Sequence, residues 1–71
     1  MRVVEISTEP LELYKVLKFE GLVASGGEAK LVIADGMVRL NGETETRKRK
    51  KVGAGDVIEF ADEKLELRLT G

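Results

Sequence analysis

The 71-residue sequence contains no cysteine, no histidine and no tryptophan, and only one proline, one tyrosine and two phenylalanines. Without cysteine there is no disulfide, and without cysteine or histidine a zinc site would need carboxylates alone, which suit harder cations. The serines also lack a basic partner for nucleophilic catalysis. We therefore expect no metal, no cofactor and no enzymatic activity.

Long apolar segments are missing as well. No run approaches the roughly 20 apolar residues of a membrane span, and no charged-then-apolar signal segment opens the sequence. The lack of cysteine fits a reducing cytosol. We therefore expect a cytoplasmic protein with no membrane partner, and we expect it to be a monomer.

The residues that are present suit a small folded domain. Apolar residues make up 42% of the chain and charged residues 35%, which is a globular composition and not a disordered one. A chain of this length buries only about 60–65% of its unfolded surface. We therefore expect one domain over residues 1–71, with a core motif over about 11–60, whose stability depends on its apolar core.

Charge is unevenly distributed along the chain. The net charge is -1, but residues 15–52 contain nine basic and five acidic residues, and the remainder contains three basic and eight acidic ones. The first segment therefore carries +4 and the remainder -5. Such asymmetry is typical of a charged binding surface, although the total alone argues against nucleic acid.

The first half of the chain predicts a strand and two helices. Residues 2–6 alternate as a strand, and residues 11–20 form a helical pattern with Pro10 near the first turn and Gly21 after the end. Leu13, Val16 and Leu17 share one face of this helix, with Tyr14 and Phe19 in or near the core. Ser25 and Glu28 have the spacing of a capping box for a second helix, which Asp35-Gly36 closes and which buries Ala29, Val32 and Ile33.

The second half predicts strands. Residues 37–40 alternate, Asn41-Gly42 is a strong hairpin signal, and residues 43–46 form the returning strand. The basic run, residues 47–51, follows, and then a flexible corner at 52–55. Residues 56–60 and 65–69 alternate around a turn at 61–63, and their apolar side chains are core candidates together with Leu40: Val57, Ile58, Phe60, Leu65, Leu67 and Leu69. The fold class is α+β, two helices packed on a small, mostly antiparallel sheet.

Several of these motifs occur in the order of one known family. They are a helix ending in Gly21-Leu22, the helix start at Ser25, Ala29-Lys30 within that helix, the hairpin GMVRLNG over residues 36–42, and Gly55-Asp56-Val57-Ile58. Together they resemble the S-four domain, the alpha-L RNA-binding fold, over about two-thirds of the chain. Within this family the chain is most similar to the free-standing YbcJ/YaaA-like group, in the segments LKFEG and Glu-Thr-Arg-Lys-Arg and in its small size. The resemblance implies binding of structured RNA, ribosomal RNA or an assembling ribosome, by the two helices and the loop beyond the hairpin.

The sequence departs from the family at three positions. The first helix of the family often begins Arg-Leu-Asp, but here Glu12 and Tyr14 occupy the charged positions, and Gly26 replaces the basic residue after the serine. Two familiar RNA contacts are therefore missing. The binding then depends more on Lys18, Lys30 and the basic run.

The basic run is the strongest candidate site. Its cations can displace counterions from phosphates, and the planar fork of arginine can bind a phosphate through two hydrogen bonds. The alternative is a solvated loop that keeps the protein soluble. Strand alternation would place Arg47, Arg49 and Lys51 on one side and Lys48 and Lys50 on the other. We therefore expect two or three of the five residues to contact RNA. Arg47 and Arg49 are the first candidates, and Lys48 and Lys51 are further ones.

Five weaker candidates accompany the run. Lys15, Lys18 and Lys30 can line the helix pair, or they can simply be solvated. Ser25 is foremost a helix cap, although a helix N-terminus also accepts phosphate. Asn41 is foremost a turn residue, with its amide as a secondary RNA contact.

Three functions compete at this point. The first is a non-catalytic protein that binds structured RNA by phosphate and shape. The second is a protein-interaction adaptor on the ribosome or an RNA-processing complex, with ribosomal proteins as partners and an acidic docking side formed by Glu5, Glu59, Asp62, Glu63 and Glu66. The third, DNA binding by a helix-turn-helix, is weaker, because Glu28 and Lys30 are the only long polar side chains on its recognition helix.

Overall fold

Two short helices cover one face of a five-stranded sheet in the computed structural model, which describes residues 1–70. The elements in chain order are β1 (Arg2–Ile6), β2 (Leu11–Glu12), α1 (Leu13–Phe19), α2 (Gly26–Ala34), β3 (Val38–Leu40), β4 (Glu43–Thr44), β5 (Lys51–Val52), β6 (Val57–Phe60) and β7 (Glu63–Leu69). Within residues 1–70, no helix has the length and apolar character needed to cross a membrane.

The main sheet has the strand order β1-β7-β6-β3-β4, and a separate small sheet pairs β2 with β5. Only β1 and β7 run parallel, in a register that sets Val4 beside Leu67. The pairs β7–β6, β6–β3 and β3–β4 are antiparallel. The predicted α+β class with a mostly antiparallel sheet is therefore confirmed.

The core lies between the helices and the inner face of the sheet. From the helices it takes Leu13, Val16, Leu17, Ala29 and Ile33, and from the strands Val4, Ile6, Val38, Leu40, Val52, Ile58, Leu65 and Leu67. Both predicted apolar helix faces are confirmed, with Val32 partly buried at the edge. Burying each aliphatic side chain of this size contributes about 1.5–3 kcal/mol, before the opposing chain entropy.

Three side chains expected in or near the core lie outside it. Phe19 is 65% exposed, Leu69 is 44% exposed, and Val57 is only half-buried and does not pack against the core. At 3.6 residues per turn, Phe19 lies about 200° around the helix from Leu17, so it cannot share the buried stripe. Leu69 ends β7 in the last pair of the parallel ladder, opposite Ile6. Val57 precedes the buried residue of β6 and so faces the opposite side of the sheet. Helical and strand geometry thus explain all three errors.

The beginning of α1 differs from the prediction. The helix starts at Leu13, and residues 11 and 12 are extended and pair antiparallel with Val52 and Lys51. Pro10, which follows a cis peptide bond, therefore precedes a strand instead of occupying the first helical turn. The local pattern is helical, but the pairing that buries Val52 determines the backbone.

The corner predicted to be flexible is also held by specific bonds. Val52 belongs to β5 and is 1% exposed. The Gly53 N–H donates to the Asp56 carboxylate at 2.8 Å, and the Ala54 N–H donates to the Glu9 carboxylate at 2.7 Å. Side-chain carboxylates thus bind the N–H groups in the middle of this segment, while the Gly55 N–H donates to the Leu67 carbonyl at 2.9 Å.

The predicted turns are present, with small changes. The Glu28 N–H donates to Ser25 Oγ at 3.1 Å, while the Glu28 carboxylate accepts from Ala24 N–H, one residue before the usual capping-box position. Gly36, after α2, has φ +78, as expected for a residue that ends a helix in the left-handed region. Asn41 and Gly42 both have positive φ, which is typical of the two-residue hairpin, but the returning strand covers only Glu43–Thr44.

Candidate nucleic-acid interface

The basic run is joined to α1 by main-chain hydrogen bonds. The Leu13 N–H donates to the Lys50 carbonyl at 2.9 Å, and the Tyr14 N–H donates to the Lys48 carbonyl at 3.1 Å. These are two of the N–H groups that a helix start leaves without intrahelical partners. Pairing of Lys51 with Glu12 continues the connection. The run and the first turn of α1 therefore form one continuous surface.

The first four residues of the run do not form a strand, and only Lys51 belongs to one, β5. The Lys50 N–H donates to the Arg47 carbonyl at 3.1 Å, which closes a turn over residues 47–50. The predicted alternation of Arg47, Arg49 and Lys51 on one side against Lys48 and Lys50 on the other is therefore wrong. The first helical amides bind two carbonyls of the run, and that requirement bends it.

Arg47 is held by a neighbouring carboxylate. Glu45 Oε2 accepts from Arg47 Nε at 2.9 Å and from the Arg47 N–H at 3.0 Å, and Glu45 Oε1 accepts from Nη2 at 3.1 Å. The side chain of Glu45 is 12% exposed and that of Arg47 is 70% exposed. These hydrogen bonds lower the pKa of Glu45 to about 2. Arg47 is therefore anchored at its base and open to solvent beyond it.

Glu12 connects α1 with the run in a similar way. Its carboxylate lies 3.3 Å from Lys15 Nζ and 4.0 Å from Arg49 Nε. Burial raises the pKa of Glu12, but the hydrogen bond from Lys15 and the charges of Lys15, Lys51 and Arg49 together lower it further than burial raises it. Two of the predicted RNA contacts, Lys15 and Arg49, thus share an internal anion.

The remaining cations of the run have no such partner. Among residues 1–70, no carboxylate oxygen lies within 4.0 Å of the amines of Lys48, Lys50 or Lys51. Lys48 and Lys51 are exposed and Lys50 is half-buried. Their positive charge is consequently available to an external anion.

The helix pair supplies a second group of cations. Lys30 Nζ, from α2, lies 4.7 Å from the centre of the Tyr14 ring, and Lys15 Nζ lies 5.9 Å from it. A β-carbon at Gly26 would lie 3.7 Å from Tyr14 Cε2 and 3.8 Å from Lys18 Cδ. Lys18 and Lys30 therefore border the same contact between the helices, as the helix-turn-helix pattern predicted.

Ser25 and Asn41 have structural roles. Ser25 Oγ accepts the Glu28 N–H at the start of α2. Asn41 Nδ2 donates to Asp56 at 3.0 Å, and Asn41 Oδ1 accepts the Val57 N–H at 2.8 Å. Asn41 also lines a shallow cavity with Met1, Glu59 and Lys64, which does not include the basic run. Contact of either residue with RNA stays a prediction.

The carboxylates that hold the arginines were not among the predicted site residues. Glu45 and Arg47 are two residues apart, and Glu12, the residue before α1, is three residues before Lys15. The second spacing is a recognised signal for a helical ion pair. The first requires the backbone conformation of residues 45–47 to be known, because these residues were expected to continue a strand and instead lie outside one.

The outer face of the sheet is not an acidic surface. The strand register places Glu59 between Arg39 and Lys64. It also places Arg68 beside Glu5. Glu66 lies between Val3 and Val57. Cross-strand neighbours of opposite charge stabilise a sheet. Three residues of the proposed acidic docking side, Glu5, Glu59 and Glu66, are therefore interleaved with three cations on the face away from the helices.

The chain has relatives in one known family. The model of the S4 domain matches residues 4–68. The chain is 44% identical over 57 residues to the putative RNA-binding protein YbcJ of Escherichia coli. The aligned region covers 80% of this chain and 81% of YbcJ. It is 36% identical over 57 residues to the probable ribosome maturation protein RlbA of Bacillus subtilis, covering 80% of each chain.

Solved structures agree with the sequence relatives. The solution structure of E. coli YbcJ, described as having an alpha-L motif involved in RNA binding, superposes with a TM-score of 0.73 and 39% identity. The match covers 96% of this chain and 87% of YbcJ. The fold and the family motifs identified in the sequence are thus confirmed, and the chain belongs to the S4 domain family.

Proposed function

We propose that this protein binds structured RNA, without catalysis, through α1, α2 and the basic run. The observation that carries the proposal is the pair of hydrogen bonds from Leu13 and Tyr14 to the run, which places its cations beside those of the helix pair. Lys48 and Lys51 have no internal carboxylate partner among residues 1–70, so a polyanion can bind them without breaking an ion pair.

Recognition rests on phosphates and shape. Lysine and arginine contacts release counterions from the RNA backbone and carry little sequence information. The surface holds two separate aromatic rings, half-buried Tyr14 beside Lys30 and exposed Phe19 beside Lys18, and within residues 1–70 the sheet carries no exposed row of aromatics. Stacking of successive unpaired bases, as on RRM sheets, is therefore disfavoured, and folded RNA is the better ligand.

The relatives favour RNA of the ribosome. One of them is named a putative RNA-binding protein and another a probable ribosome maturation protein. Together with the cationic surface, these names support ribosomal RNA or an assembling ribosome as the target, in the cytoplasm. The adaptor alternative is less well supported, because three of its five acidic residues lie on a face that also carries Arg39, Lys64 and Arg68.

A paired charge-removal experiment tests the proposal. Lys48→Gln/Lys51→Gln removes two cations from the interface, and Lys64→Gln/Arg68→Gln removes two from the outer face of the sheet. Binding of both variants and wild type to a ribosomal RNA stem–loop, an unstructured RNA and duplex DNA is measured across salt concentrations. Only the first variant should flatten the log–log salt slope, by about 1 to 2 units for two lost phosphate contacts.

Three outcomes would contradict the proposal. Equal losses in the two variants would show that only net charge matters. Equal affinity of wild type for the stem–loop and the unstructured RNA would show that folded RNA is not the ligand. A protein that stays folded and binds a ribosomal protein but no RNA would favour the adaptor.

A further inference from the structure

The contact between Glu45 and Arg47 is more than a surface ion pair. Three hydrogen bonds of 2.9–3.1 Å join the carboxylate to the backbone N–H and the guanidinium of the same residue. The Glu45 backbone is itself held, because its N–H donates to the Val38 carbonyl at 2.9 Å. An anchored, 12% exposed carboxylate therefore fixes a side chain that is 70% exposed.

The geometry leaves one edge of the guanidinium open. Arginine has five N–H groups in a planar fork, and Glu45 binds Nε and Nη2, which lie along one side. The edge between Nη1 and Nη2 has no acceptor within residues 1–70. Such an edge matches two oxygens of one phosphate.

From this geometry we infer that Glu45 is a positioning residue that determines specificity: it orients Arg47 so that the open edge binds one phosphodiester of folded RNA. The inference rests on the proposed function and deepens it. A flexible arginine loses rotamer freedom when it binds, whereas one already held by Glu45 loses less. A phosphate held in place by RNA structure benefits most from a donor with fixed direction.

A charge effect and a positioning effect predict opposite changes in RNA affinity for the Glu45→Gln variant. Glu45 is an anion beside a phosphate site, so charge alone predicts that Glu45→Gln strengthens RNA binding. Positioning predicts that the same change weakens binding to folded RNA, because the amide holds the guanidinium less firmly than a charge-assisted pair does. The low pKa of Glu45, about 2, supports a carboxylate that stays ionised at the pH of any binding assay.

The test compares Glu45→Gln with Glu43→Gln. Glu43 is an exposed residue of β4 whose carboxylate makes no hydrogen bond or ion pair with the described part of the chain, so its substitution changes charge alone. The probes are a ribosomal RNA stem–loop and poly(U) of equal length. Glu45→Gln should weaken stem–loop binding by roughly 3- to 10-fold and change poly(U) binding by less than about 2-fold. Glu43→Gln should leave both affinities equal or slightly stronger.

A second measurement separates positioning from folding. In nitrogen-15 NMR spectra, the Arg47 Nε–H signal should be sharp and well dispersed in wild type and lost in Glu45→Gln, with the backbone amide spectrum unchanged elsewhere. In an Arg47→Gln background, Glu45→Gln should no longer weaken stem–loop binding. Persistence of the weakening in that background would overturn the inference.

The outcomes distinguish this inference from the proposed function. If wild type binds the stem–loop but Glu45→Gln strengthens binding as Glu43→Gln does, Glu45 is only a competing charge and the inference fails alone. If wild type binds neither RNA, the proposed function fails and the inference fails with it.

Discussion

The N–H of Tyr14 donates to the carbonyl of Lys48 at 3.1 Å, so the main chain of the most basic segment is attached to the first turn of α1. This bond, with the one from Leu13 to Lys50, depends on the adjoining β2–β5 pair, whose only fully buried side chain is Val52. Core packing and the geometry of the charged surface are therefore coupled through a few residues.

Val52→Ala should test that coupling. The substitution removes two buried methyl groups from a side chain that is 1% exposed, and we expect a loss of about 1.5–3 kcal/mol in the free energy of unfolding, measured in urea. RNA affinity should also fall in the fraction that stays folded, because β5 holds the run. Val57→Ala, at a half-exposed position, should cost less stability and leave RNA affinity unchanged.

The ion pair of Glu45 predicts a defined pH dependence. Its pKa falls from 4.5 to about 2 in the folded protein, so the pair stabilises the fold above pH 4.5 and this contribution is lost as the pH falls through 2. The stability difference between wild type and Glu45→Gln should therefore be constant above about pH 5 and shrink towards pH 2. Denaturant unfolding at several pH values measures it.

Arg47→Gln provides the matching control for this prediction. Removing the guanidinium should raise the pKa of Glu45 from about 2 towards its ordinary value, as followed by carbon-13 NMR of the carboxyl group. A pKa that stays near 2 in Arg47→Gln would show that another group holds the carboxylate.

Asn41 is expected to matter for stability and not for RNA binding. Asn41→Ala removes the bonds to Asp56 and Val57 and places alanine at φ +54, so unfolding should become easier by about 1–3 kcal/mol. Asn41→Gly, which loses the same bonds but tolerates the backbone, should cost less. A drop in RNA affinity in folded Asn41→Gly would restore the contact suggested by the sequence.

Two glycines of α2 and its end should respond in opposite directions to alanine. Gly27 lies in the first turn of α2, where a β-carbon would meet nothing nearer than Ser25 Oγ at 3.9 Å, so Gly27→Ala should stabilise by about 0.5–1 kcal/mol. Gly36 has φ +78, so Gly36→Ala should destabilise by about 1 kcal/mol. Thermal unfolding of the two variants measures the contrast, and equal shifts of the same sign would contradict it.

Local signals predicted most of the fold. The capping box at Ser25, the glycines after both helices and the Asn41-Gly42 hairpin each depend on a few neighbouring residues, and the structure confirms them. The wrong prediction of where α1 begins concerns residues whose pairing partners are distant in the sequence. Residues 11 and 12 have a helical sequence pattern. In the structure they are extended, because they pair with Val52 and Lys51, about forty positions later in the chain.

The basic residues of the candidate site can be predicted from the sequence, but the hydrogen bonds that hold them cannot. Consecutive basic residues are visible without a structure, and the spacing of the two helices indicated that Lys18 and Lys30 lie near each other. The turn over residues 47–50 was not visible, because it arises where two carbonyls of the run bind the N–H groups of Leu13 and Tyr14. The contact of the Glu45 carboxylate with Arg47 was not visible either, because it depends on the backbone conformation between the end of β4 and the turn.

The parallel pairing of β1 with β7 has a consequence for folding. Val4 and Leu67 lie side by side in the sheet although about sixty positions separate them along the chain. Contacts of such high contact order form slowly, because a long loop must close before they are gained. On a translating ribosome, the helices and the basic run emerge before β7 exists. Val4 and Ile6 therefore stay without their strand partner until synthesis of this segment is nearly complete.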